Sequence, residues 1–163
     1  MPARPGFRQL VDWRAAFIAG LVAGLAFFVL QAALTARLLG TPWVFPRMTA
    51  AMVLGRGVLP PPATFDAGVV AVAFGVHMLL ALAYTALFAF VLHRWGLLVG
   101  VVGGTLLGLA LYVINYWTLA GLFPWFLDLK SGVALVPHLV FGALAGGVYE
   151  LLEVERFVPG EPA

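Results

Sequence analysis

Polar and apolar positions along this chain separate into long blocks instead of alternating. Four apolar runs cover residues 15–36, 67–92, 95–120 and 132–150. Each is close to the ~20 residues a helix needs to cross a hydrocarbon core. The first three hold no Asp, Glu, Lys or Arg, and the fourth is bounded by Glu150, Glu153, Glu155 and Arg156. The first run follows Arg4, Arg8 and Arg14 as in a signal peptide, but no small-x-small cleavage site follows it, so it reads as a retained helix.

The breaks between the runs are rich in Pro, Gly and charge. Residues 37–66 form a long connection. Within it, 46–54 reads as a short helix, opened by Pro46 and ended by Gly55 and Gly57. It is too short to span and suits the membrane interface, with Trp43 and Phe45 at headgroup level. Pro60, Pro61 and Pro62 predict a stiff extended lead into the second span. Only His93 and Arg94 part the second and third runs, which predicts a tight antiparallel hairpin with His93 at headgroup level. Residues 122–131 read as a second interfacial loop, and 158–163 as a frayed tail. The predicted fold is all-α: four transmembrane helices in an up-down bundle, with a short interfacial helix in the first long loop.

A second pattern lies inside the runs. Gly96, Gly100, Gly104 and Gly108 recur at a spacing of four, as do the pairs Gly20/Gly24 and Gly142/Gly146. On a helix each set makes a bare groove that lets another backbone approach closely. The grooves predict close packing, within the chain, with a second copy or with a larger membrane complex. The halves also echo one another: a glycine-rich helix, a loop with Pro-Trp (Pro42-Trp43, Pro124-Trp125), then a helix with one histidine (His77, His138). Such an echo fits a parallel repeat about the membrane normal.

Composition agrees. Of 163 residues, 63% are hydrophobic and 10% charged, against about a quarter charged in soluble domains. Nine Lys+Arg and seven Asp+Glu leave a net charge of +2 without a basic patch, so nucleic acid is not an expected partner. The absence of cysteine excludes disulfides and thiolate metal sites. Tryptophans 13, 43, 95, 117 and 125 fall near predicted boundaries, as in an aromatic belt. The arginines before the first run favour both termini on the cytoplasmic side.

Against this background a few buried polar groups stand out. Counting 1.5 Å per residue from each run's midpoint, Gln31, His77 and His138 fall roughly 4 to 8 Å to the outer side, and Asn115 about 10 Å. One polar side chain per span thus occupies one layer. His77 shares a stripe with Ala81, Thr85 and Ala89, and His138 shares one with Gly142 and Gly146. The simplest reading is interhelical hydrogen bonding. The alternatives are a haem b held by His77 and His138, or a proton or ion relay through them. A catalytic zinc lacks a third ligand, and no Ser/His/Asp arrangement is available.

Four stretches carry a resemblance: Pro42 to Asp66, His77, Ile114 to Phe126, and Pro137 to Gly142. Through them the chain resembles a group of small four-span bacterial inner-membrane proteins with no assigned activity. The resemblance implies a bacterial plasma-membrane location and a four-helix fold. In size alone the chain is similar to four-span multidrug transporters, but their carboxylate has no counterpart in 15–36. The expected role is non-enzymatic and without a cofactor: a small subunit packing with itself or a larger membrane complex.

Overall fold

In a lipid core every backbone N–H and C=O must be satisfied within the chain, which leaves the helix as the economical solution for isolated apolar runs. The computed structural model describes residues 7–93, 95–130 and 132–159 and is helical almost throughout. Strand β1 (Phe7–Gln9) leads into α1 (Trp13–Leu39), and a shorter helix α2 (Val44–Leu54) follows. The chain continues through α3 (Ala67–Leu92), α4 (Gly96–Val113) and α5 (Gly132–Leu152) to β2 (Phe157–Pro159). Four helices, α1, α3, α4 with its continuation to Gly121, and α5, are long and apolar enough to cross a membrane. They are those of a multi-pass membrane protein.

Local chemistry sets their ends. Asp12 caps α1 by accepting from the N–H groups of Arg14 and Ala15 at 3.0 and 3.1 Å. Asp66 does the same for α3, accepting from Val69 N–H at 2.9 Å. Gly40, at φ 79°, closes α1 in the left-handed region that only glycine enters freely.

The glycine grooves decide which helices touch. A Cβ at Gly20 would meet Leu82 and Thr85, and one at Gly24 would meet Ala81 and Met78, so α1 lies tightly on α3. Gly100, Gly104 and Gly108 face the carbonyls of Gly146, Gly142 and His138, so α4 lies backbone to backbone on α5. Helix α1 also packs along α5, through Ala15, Ala16 and Ala19 beside Tyr149. Each histidine helix therefore packs on the glycine helix of its own half. Gly96 departs from the expected set: at φ 76° with no atom within 4 Å of a Cβ, it starts α4 and lines no helix seam.

The expected tight hairpin of the second and third spans is corrected. Helices α3 and α4 have the shortest connection of the bundle but meet sparsely, with Leu92 against Gly103. Each has spent its bare stripe on another partner.

Two further expectations change. Residues 158 and 159 are not a frayed tail: β2 pairs antiparallel with β1, Val158 opposite Arg8. The rest of that tail lies outside the described residues. His93, at the end of α3, is buried, with Nδ1 on the Phe90 carbonyl at 2.8 Å. Residues 59–62 bend instead of running extended. Helix α2 buries Phe45, Met48, Ala50 and Ala51 and packs on α3. Its loop is fastened by Arg47, which donates to the carbonyls of Thr64 at 2.9 Å and Val58 at 3.1 Å.

Candidate ligand site

Between α3 and α4, where the two helices meet only sparsely, lies a cavity of about 140 Å³. Helix α3 contributes His77, Leu80, Ala81 and Tyr84 to its wall. Opposite stand Leu111 of α4 and Asn115, Tyr116 and Leu119 from its continuation. Phe45, Thr49 and Met52 of α2 close one end, with Phe123 and Phe126 from the loop before α5. Phe27 of α1 and His138 and Phe141 of α5 form the floor.

The helix that supplies Asn115 changes geometry there. Its α-helical part ends at Val113, and Ile114–Thr118 form a π-helical turn followed by a 3₁₀ turn over Leu119–Gly121. A π turn inserts a residue into the helical count and often accompanies functional sites. Here it leaves Tyr116 buried while Asn115 Nδ2 reaches His138 Nε2 at 3.0 Å. Tyr112 and Tyr116 flank the same imidazole edge-on.

The two histidines are held differently. His77 Nε2 donates to the Gly24 carbonyl at 2.9 Å, across a seam that Gly24 and Ala81 keep thin. His138 Nδ1 donates to the Ala134 carbonyl one turn back at 2.7 Å, and its Nε2 accepts from Asn115. Phe27 lies against both rings, with centroids 5.0 Å from His77 and 4.9 Å from His138. A haem ligated by both histidines does not fit this arrangement. Phe27 would have to leave, and the Gly24 or Asn115 bond would have to break. Among the described residues no hydrogen-bond chain joins the two imidazoles.

Of the expected polar layer, the structure unites Asn115 with His138 and sets His77 across Phe27 from them. Gln31 is also buried, 1% exposed, but bonds to none of the three. Neither of its amide atoms has a partner among the described residues. Sequence reasoning passed over Phe27, Thr49, Tyr84, Phe123, Phe126 and Phe141 as members of a site. Nothing distinguishes a cavity-lining phenylalanine from its neighbours in a run where almost every position is apolar.

A second polar cluster lies at the other end of the bundle. Tyr149 OH donates to Glu153 at 3.1 Å and accepts from Asp12 N–H at 3.2 Å, and Gln9 donates to Glu153 at 2.9 Å. The N–H of Ala15, helped by those of Val154 and Arg14, holds the Asp12 carboxyl below the usual carboxylate range. Burial pushes Glu153 up. This network fastens the chain ends to α5. The described residues contain no group of three or more His, Asp or Glu able to hold a metal ion.

No protein-family model, curated protein or solved structure matches this chain. The site is read from its geometry alone.

Proposed function

We propose that this is a non-catalytic protein of the bacterial plasma membrane that takes a small lipid-soluble molecule from the bilayer into the cavity between α3 and α4. The cavity carries this reading. Its volume, about 140 Å³, matches the roughly 150 Å³ apolar cavities that hold one benzene-sized ring. Its wall is mostly apolar and rich in Phe and Tyr rings, with a few convergent polar groups, the usual make-up of a ligand site. Leu80, on its wall, is 37% exposed on the flank where lipid would lie, so entry is lateral. Among the described residues no carboxylate, lysine or arginine lines it, which supports binding over catalysis.

Association with a second copy or a larger complex would have to use lipid-facing side chains, because the glycine grooves are filled from within the chain. The arginines before the first span support a cytoplasmic side for both termini.

The test is titration of the protein in lipid nanodiscs with toluene, with empty discs as the partition control. Saturable one-to-one binding, weakened by Leu80→Trp at the cavity mouth, is expected. Uptake no greater than that of empty discs would refute the reading. Sidedness is checked separately, since the chain has no cysteine of its own. An impermeant maleimide added outside cells should label Asp128→Cys and spare Glu155→Cys.

A further inference from the structure

The polar groups of the cavity narrow what it takes, and this step rests on reading the cavity as a ligand site. A carbonyl only accepts, so the Gly24 carbonyl requires the proton on Nε2 of His77. In the neutral imidazole Nδ1 is then a bare acceptor, and it has no hydrogen bond among the described residues.

His138 offers no such position. Its Nδ1 donates to Ala134 and its Nε2 is occupied by Asn115. That bond also orients the Asn115 amide: its amino group faces His138, and its carbonyl Oδ1 is the group left over, again an acceptor. Thr49, 3% exposed, lines the cavity with an Oγ1 that has no partner. A hydroxyl can serve in either sense. The polar lining is therefore weighted towards acceptors, in surroundings where an unpaired polar group is costly.

The apolar lining has its own requirement. Phe27, Phe45, Phe126 and Phe141 present ring faces and edges around a space of single-ring size. A flat ring fills such a space with the edge-to-face contacts that aromatic pairs favour. A flexible alkyl chain would fill it less completely.

We infer that the cavity binds a single aromatic ring carrying a hydroxyl group, a phenol, whose O–H donates to His77 Nδ1. The ring packs among the phenylalanines, and Thr49 and Asn115 are placed to satisfy a second polar substituent.

The experiment compares p-cresol with toluene, which share a ring and a methyl group and differ by the hydroxyl. Both are titrated into the protein in nanodiscs against empty discs, with histidine ¹⁵N labelled. The His77 signal is identified by its loss in His77→Phe. The inference expects p-cresol to bind about five- to tenfold tighter, the worth of one net hydrogen bond. It also expects p-cresol, and not toluene, to shift the His77 Nδ1 resonance. Equal affinities with an unmoved Nδ1 signal would overturn the inference and leave the cavity reading standing. Saturable binding of neither probe would overturn both. If His77→Phe folds poorly, His93→Asn and His138→Asn assign the His77 signal by elimination among the three histidines, and the shift is still read on the unmodified protein.

Discussion

Gly104→Ala tests whether the α4–α5 seam is the backbone contact described above. The new Cβ would fall on the Gly142 carbonyl oxygen, 3.0 Å from the Gly142 carbonyl carbon and 3.3 Å from Gly146 Cα. All three are main-chain atoms, so no change of rotamer relieves the overlap. Ordinary contact requires the helices to part by about 1 Å, and a gap of that size forfeits roughly a quarter to a half of the dispersion at each atom pair it opens. The seam runs through Gly100, Gly104 and Gly108, so the loss spreads along it. Within the bilayer no hydrophobic force compensates, because lipid is as apolar as the helix surface.

Overpacking costs about 1–3 kcal/mol, and this unyielding contact belongs at the upper end. That corresponds to a fall in Tm of roughly 6–12 °C for a chain of this size. Gly75→Ala is the control: it is mid-helix in α3, exposed, with no atom within 4 Å of a Cβ. It should leave Tm unchanged or raise stability by up to about 1 kcal/mol. Both are read by tryptophan emission during thermal unfolding in dodecyl maltoside. A Gly104→Ala protein melting within about 2 °C of the parent would refute the seam, since that shift is under 1 kcal/mol.

Gln31→Met removes a sealed amide with no partner and keeps its volume, so it should stabilise by about 1–3 kcal/mol; a lower Tm would show that the amide is satisfied. Asp12→Ala should cost about 1 kcal/mol at neutral pH through the lost cap. Because the folded carboxyl titrates below its unfolded value of about 3.9, its contribution is complete above that pH and fades as pH falls through the folded value. The difference between parent and variant should therefore shrink only in acid, as followed by denaturant titration. Arg47→Lys keeps the charge but not the planar fork, so hydrogen exchange should rise at residues 58–64. Unchanged exchange there would show that the clamp is dispensable. Asn115→Leu should cost about 0.6–1.7 kcal/mol and move the His138 Nε2 resonance.

The spans were legible because the lipid constraint acts on length and composition, which the sequence states directly. The glycine spacing correctly marked two tight seams, yet it could not say which seam joins which helix. A bare groove is equally complementary to any other bare groove. The short linker suggested that α3 and α4 close on each other, but a linker limits only the distance at one end. The α4 stripe found its match on α5 and the α3 stripe on α1. Gly96 fitted the periodicity and was placed with the packing set, although its backbone conformation shows that it starts the helix. For the polar layer, depth was predictable from counting residues, and the partners were not. Asn115 reaches His138 through a π turn that no periodicity announces. The cavity is lined from all five helices, and no single residue encodes it.

The contact of α1 with α5 has a consequence for how the molecule is made. Ribosomes release α1 first and α5 last, and domains mature in the order of their synthesis. Here the earliest helix lies along the latest, and β1 closes only on β2. While the rest is being translated, α1 can settle on α3 but must leave its α5-facing alanines to lipid or to an insertion factor. The bundle is therefore completed only once α5 has left the ribosome, in one late, long-range step, and a chain stalled before residue 132 would hold every element of the first half with the α5 flank of α1 open.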